Sequence, residues 1–153
     1  MKIAEFLKPQ AVIAELAATS KPDVLKELSG TLASTNPSVT LQRITQVLEE
    51  RERLGSTGIG EGVAIPHGKL TGLLALSATF GVSREGVDFD SIDGKRTHLF
   101  FALVAPENSA GLHLKALARI SRLFKNARFR DSILGAKTAA EIYELIALED
   151  AKA

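Results

Sequence analysis

Three histidines, His67, His98 and His113, are the side chains of this 153-residue chain best suited to nucleophilic chemistry, because it contains no cysteine. A neutral imidazole, with an ordinary pKa of about 6.5, keeps one nucleophilic nitrogen available near neutral pH. His67 has the most informative surroundings. It lies near the end of Gly55-Ser56-Thr57-Gly58-Ile59-Gly60-Glu61-Gly62-Val63-Ala64-Ile65-Pro66-His67-Gly68, a stretch with five of the chain's twelve glycines. Glycine at that density costs backbone entropy on folding, so an ordered segment of this kind has a use for it. Two uses fit: tight turns, or backbone brought close to a ligand or a partner. The run Val63-Ala64-Ile65 reads as a short strand that delivers His67 to its end. Pro66, with no N–H to pair, suits the point where a strand leaves its ladder. Gly68 leaves one flank of the imidazole free of side chain. The plain alternative is a histidine exposed on a turn, with no chemistry attached.

Other ligand chemistries fit less well. A Walker loop needs Gly-Lys-Ser/Thr after a strand and before a helix, whereas this loop follows a helix and leads into a strand. Gly58, Gly60 and Gly62 miss the Rossmann spacing. The three histidines are not paired at i, i+3 or i, i+4, so a metal-dependent enzyme would need them to meet through the fold. His98, at the start of an apolar strand, has no motif around it and reads as structural.

The sixteen residues GSTGIGEGVAIPHGKL, from Gly55 to Leu70, resemble the active-site signature of enzyme IIA of the phosphoenolpyruvate-dependent phosphotransferase system. The branch is the mannitol/fructose/nitrogen-regulatory one, and the GSTGIG wording is most similar to its nitrogen-regulatory members. The resemblance extends from about residue 3 to residue 148. It implies that His67 accepts a phosphoryl group from a phosphohistidine on a small carrier protein of the HPr/NPr type, with no cofactor and no metal. His113-Leu114-Lys115-Ala116-Leu117 is similar to the family's H-L-x-x-L pattern, so His113 would orient the phosphoryl group without carrying it. Arg51-Glu52-Arg53-Leu54-Gly55-Ser56-Thr57-Gly58 resembles the family's R-E-x-x-G-S-T-G approach to the loop. Arg51 would then clamp phosphate, or else cap the carbonyls at the end of its helix. Ser56, Thr57 and Gly58 complete the expected phosphate-binding set through hydroxyls and backbone N–H groups. The surface around Gly60, Glu61, Gly62 and Gly68 is the expected docking face. Two readings remain inside the resemblance. In one, phosphorylation changes the binding of regulatory targets. In the other, a sugar-transport IIA component passes phosphate to a IIB domain. The GSTGIG wording and the lack of a fused IIB or IIC segment favour the first.

The elements that must position these residues are legible in outline. Ile3 to Leu7 reads as a helical turn stopped near Pro9, and Ala11 to Ala17 as an edge strand. Ser20 caps a helix with Pro22 in its first turn and Val24, Leu25, Leu28 and Leu32 on one face. A second helix spans about Thr40 to Arg53, with Leu41, Ile44, Val47 and Leu48 inward and Glu49 to Arg53 read as a solvated charge run. Leu73 to Val82 and Thr97 to Ala105 read as buried strands, the second ended by Pro106, with a turn at Asp93-Gly94 between them. Asn108-Ser109 caps a helix whose apolar face is Leu112, Leu114, Leu117, Ile120, Leu123 and Phe124. A short helix closes at Gly135, and a last one runs from Ala139 to Leu148, with residues 149–153 as a frayed tail. The expected fold is α/β: one domain over residues 1–153, with a central mixed sheet of about five strands flanked by helices.

Composition bounds the partners. A chain of this length buries a sizeable core. With 45% apolar and 24% charged residues and a net charge of +1, nothing recruits nucleic acid or an anionic membrane. The N-terminus lacks a secretory signal and no run is long enough to cross a bilayer, which leads to the expectation of a cytoplasmic protein.

Overall fold

The computed structural model describes residues 1–152. A 3₁₀ turn at Ile3–Glu5 leads into β1 (Leu7–Ile13), followed by α1 (Lys21–Thr35) and α2 (Leu41–Arg53). The glycine-rich stretch supplies β2 (Gly58–Gly60), β3 (Val63–Ala64) and β4 (His67–Leu70). Then come β5 (Ser77–Val87), β6 (Thr97–Pro106), α3 (Ala110–Leu123), α4 (Ala127–Gly135) and α5 (Ala139–Ala151).

The sheet is organised around β6. Its residues alternate between two cores, as a strand buried on both faces requires. Leu99, Phe101 and Leu103 join the cluster under α3, α4 and α5. Phe100, Ala102 and Val104 join the cluster under α1 and α2. The strand order is β1-β5-β6-β3-β2, with β4 also paired to β6. β5 runs antiparallel to β6, whereas β3 and β4 both run parallel to it, so the sheet is mixed. β3 and β4 are two pieces of one line along β6, broken at Ile65-Pro66. Six strands form instead of about five because β2 and β4 are short pieces inside what reads as loop.

Caps fix the helix starts. Ser20, Thr40, Asn126 and Thr138 each accept a hydrogen bond from the backbone N–H three residues on, which satisfies an otherwise orphaned donor. Several sequence expectations shift. β1 begins at Leu7 and carries Pro9, which an edge strand tolerates. β5 begins at Ser77, four residues later than expected, and continues to Val87. In α3 the buried face is His113, Ala116, Ile120 and Leu123, whereas Leu112 and Leu114 are exposed. Two helical residues two apart lie about 200° around the axis, so both leucines could not face one core.

The tail expectation also changes. α5 continues to Ala151, and Asp150 is only 2% exposed. Its Oδ2 accepts the Ile3 N–H at 2.7 Å and its Oδ1 lies 2.5 Å from Arg119 Nε. That carboxylate ties the first turn and α3 to the last helix. Among the described residues no helix is long and apolar enough to cross a membrane.

Replacing Asp150 with alanine leaves Arg119, 17% exposed at its side chain, without its counter-charge. We expect a loss of about 3–5 kcal/mol, read as a lower urea midpoint at unchanged m-value.

Candidate functional site

His67 is placed by the break in the β3–β4 line. Pro66 has no N–H, but its carbonyl still accepts Leu103 N–H at 2.8 Å, so the chain stays on β6. The Ile65 carbonyl instead meets His67 Nδ1 at 2.7 Å. A carbonyl can only accept, so the ring proton resides on Nδ1 and Nε2 carries the lone pair. His67 therefore opens β4, one step past the strand end that its sequence context suggests. The half-buried ring lines a cavity of about 210 Å³ with Arg51, Ser56, Thr57, Ile65 and Ser121. Larger hollows elsewhere, such as one of about 380 Å³ between α4 and α5, contain no histidine.

His113 comes from the first turns of α3, and its ring stands edge-on to His67 with centroids 5.5 Å apart. The fold thus brings together the two histidines that the sequence singles out. His113 is buried, and its Nε2 has no hydrogen-bond partner among the described residues. An unpaired buried polar atom costs about 1–3 kcal/mol, a debt that an anionic oxygen at the site would relieve. Burial first, then the positive fields of His67 and Lys69, lower the His113 pKa from 6.5 to about 4. The His67 pKa is also lowered. Burial is the main cause, opposed by the Ile65 carbonyl, with Arg51 lowering it further and Glu52 raising it. Both rings are neutral at neutral pH, which is the state a nucleophile needs.

The expected phosphate cradle is arranged differently. Ser56 donates its hydroxyl to Phe89 O at 2.7 Å and accepts Gly58 N–H at 3.0 Å. Thr57, 3% exposed, gives its N–H to Glu52 Oε1 at 3.1 Å and its hydroxyl to Glu52 Oε2. These donors, expected from the sequence to face phosphate, are occupied in framing the cavity. Arg51 donates to Gly55 O, just past the end of α2, at 2.8 Å and lines the cavity with His67.

The docking glycines serve the backbone. Glu61 and Gly62 have φ of 57° and 75° and turn the chain between β2 and β3, the pattern of a two-residue primed hairpin turn. Glu61 is exposed and reaches Arg130 at 3.4 Å. Gly60 is buried at the end of β2. Gly68 does not free a flank. A Cβ there would lie 2.3 Å from Val47 Cγ1, so the missing side chain lets α2 pack on β4. Two residues escaped sequence reasoning. Glu52 sits in the charge run read as solvated, yet its side chain is 5% exposed and pairs with Lys21 at 3.0 Å. Its place directly after Arg51 in the quoted motif was the available signal. Ser121 is two helical turns beyond His113, with no motif to mark it.

His98 is held apart. Its Nδ1 lies 3.0 Å from Ser83 O and 3.1 Å from Arg84 O. The three histidines do not converge, and among the described residues no three His, Asp or Glu side chains form a group able to hold a metal. The metal-dependent alternative thus lacks the ligand set it requires.

Residues 5–148 match the family described as phosphoenolpyruvate-dependent sugar phosphotransferase system, EIIA 2. A nitrogen regulatory protein of Bradyrhizobium diazoefficiens is 38% identical over 100% of this chain and 99% of its own length. A fructose-specific EIIABC component of Bacillus subtilis is 34% identical over 98% of this chain, which spans 24% of that longer protein. The crystal structure of nitrogen regulatory protein IIA-Ntr from Neisseria meningitidis superposes with a TM-score of 0.89. It is 34% identical, over 94% of this chain and 98% of that one.

The lowered His113 pKa makes stability depend on pH. Below about 6.5 the unfolded chain binds a proton that the folded chain refuses until about 4, so stability is full above that window and falls as pH drops through it. Denaturation midpoints at pH 7 and pH 5 should show this fall, and a His113→Gln variant should show a shallower one.

Proposed function

The chain belongs to the EIIA 2 family of the phosphoenolpyruvate-dependent phosphotransferase system, and within it we propose that this protein is a nitrogen-type phosphocarrier with His67 as acceptor. The observation that carries the reading is that His67, with Nε2 left as its lone-pair nitrogen, stands with ring centroids 5.5 Å from His113, whose buried Nε2 has no partner among the described residues. The Nε2 lone pair attacks phosphorus of a phosphohistidine on an HPr/NPr-type carrier. The donor's P–N bond breaks and its electron pair returns to the donor imidazole. Between two imidazoles this is a near exchange of like bonds, so alignment and charge stabilisation supply the catalysis. Arg51 offsets charge on the transferring group, and His113, protonated on Nε2, donates to one of its oxygens. Ser56, Thr57 and Gly58 act by shaping the cavity.

The regulatory reading follows from charge. A phosphoryl group near −2 on His67 inverts the local field, and target proteins docking around Glu61, Gly60, Gly62 and Gly68 would distinguish the two forms. Such a carrier acts in the cytoplasm, on proteins and not on nucleic acid or lipid. The second reading, transfer to a IIB domain in sugar uptake, draws support from the likeness to the fructose-specific protein. Both use the same acceptor.

The test is a reconstituted cascade of phosphoenolpyruvate, enzyme I and carrier, read by mass. The wild type should gain about 80 Da, one HPO₃, in an acid-labile form, and His67→Ala should gain nothing. An unmodified wild type beside a competent donor would remove the reading. His113→Ala should still be modified, at a rate lower by roughly 10²-fold.

A further inference from the structure

We propose that Glu52 is a positioning residue for phosphoryl transfer, its buried carboxylate anchoring a hydrogen-bonded relay through Thr57 and Ile65 that holds the proton on His67 Nδ1. The proposal rests on the acceptor role of His67. Each link is a short bond of one polarity. Thr57 N–H donates to Glu52 Oε1 at 3.1 Å. Ile65 N–H donates to Thr57 O at 3.0 Å, and His67 Nδ1 donates to Ile65 O at 2.7 Å. The N–H and C=O of Thr57, and those of Ile65, belong to different peptide groups, so these bonds act by holding the backbone: Glu52 fixes Thr57, Thr57 fixes Ile65, and Ile65 fixes the imidazole. The negative charge of Glu52 reaches the ring through space and favours its positive form. The Ile65 carbonyl requires the Nδ1–H tautomer, the one that presents Nε2 to phosphorus.

The same arrangement suits the product. When Nε2 bonds to phosphorus while Nδ1 keeps its proton, the ring becomes formally positive. The relay then places a carbonyl dipole, backed by a carboxylate, against that charge. The groups facing His67 are Arg51 and Glu52 from α2 and His113 from α3, with Lys69 on its own strand acting on His113. Among the described residues that act on His67, Glu52 supplies the negative charge, and Lys21 from α1 moderates it at 3.0 Å.

The experiment uses the full chain with ¹⁵N-labelled imidazoles, reading the His67 tautomer and pKa by NMR and transfer rate in the cascade. Glu52→Gln keeps size and an acceptor oxygen but removes charge. It should reduce the Nδ1–H population, lower the His67 pKa and slow transfer roughly 10-fold. Lys21→Gln unmasks the carboxylate and should raise the His67 pKa with the tautomer retained. These opposite signs are what a purely structural clamp does not produce. A folded Glu52→Gln protein with unchanged tautomer and pKa overturns the proposal. If that variant does not fold, Lys21→Gln decides, and the absence of a rise overturns it. A wild type that resists phosphorylation while the tautomer responds leaves the relay standing and removes the acceptor role instead.

Discussion

The hydrogen bond of 2.7 Å between His67 Nδ1 and the carbonyl two residues before it is the interaction on which the proposed phosphoryl transfer depends. It exists because Pro66 cannot continue the ladder that Val63 and Ala64 begin on β6. The interruption turns the Ile65 carbonyl towards its own neighbour's imidazole, and β4 resumes pairing opposite Leu103. A flexible loop could make the same bond only at an entropic cost on every turnover. Here β6, buried on both faces, fixes the backbone on either side of the break.

Charge at the site reflects a compromise. A nucleophilic imidazole must be neutral, whereas an incoming phosphoryl group calls for positive potential. Burial together with Arg51 and Lys69 meets both demands, because each of these depresses protonation of a histidine and the cations also attract the anion. The consequence is a His113 nitrogen left without a hydrogen-bond partner among the described residues. Functional sites commonly hold such unsatisfied groups, and the rest of the fold supports them. The core around β6 and the Asp150 tie between the first turn, α3 and α5 supply that support.

Much of this was legible in the sequence, and the misses share a cause. The cap at Ser20 was legible because it precedes apolar periodicity with Pro22 in the first turn, whereas the cap expected at Asn108-Ser109 does not form: Ser109 turns its hydroxyl to Pro106 O and α3 starts without a side-chain cap. The two histidines were legible through their motifs. Glu52 was not, because a carboxylate in a run of five charged residues differs from its neighbours only in what the fold puts against it. Gly68 was misread for the same reason: its need for a missing Cβ comes from Val47 on another element. The same holds for α3, where Leu112 and Leu114 outvote His113 by hydropathy although His113 lies on the face that Ala116, Ile120 and Leu123 bury in the core. Local chemistry is written locally, whereas burial of a polar group is a property of the packed pair.

The regulatory and transport readings differ less in chemistry than in what surrounds it. Transfer to the His67 ring, as proposed, draws on the carbonyl behind it and on a cation, and His67, Ile65 and Arg51 all line one cavity. A partner that only senses phosphorylation needs none of them to move. It needs a surface whose potential changes near His67, and the exposed Ile59 and Leu114 offer apolar area on the elements that carry the site. Apolar contact of that kind supplies affinity with little selectivity, whereas the change of charge supplies selectivity with little area. A target that docks on the apolar area and meets the phosphoryl group with a cation prefers one form, and one that meets it with a carboxylate prefers the other. One acceptor histidine can in this way serve either as a relay or as a signal, according to whether the docked partner presents a nucleophile or only a charge.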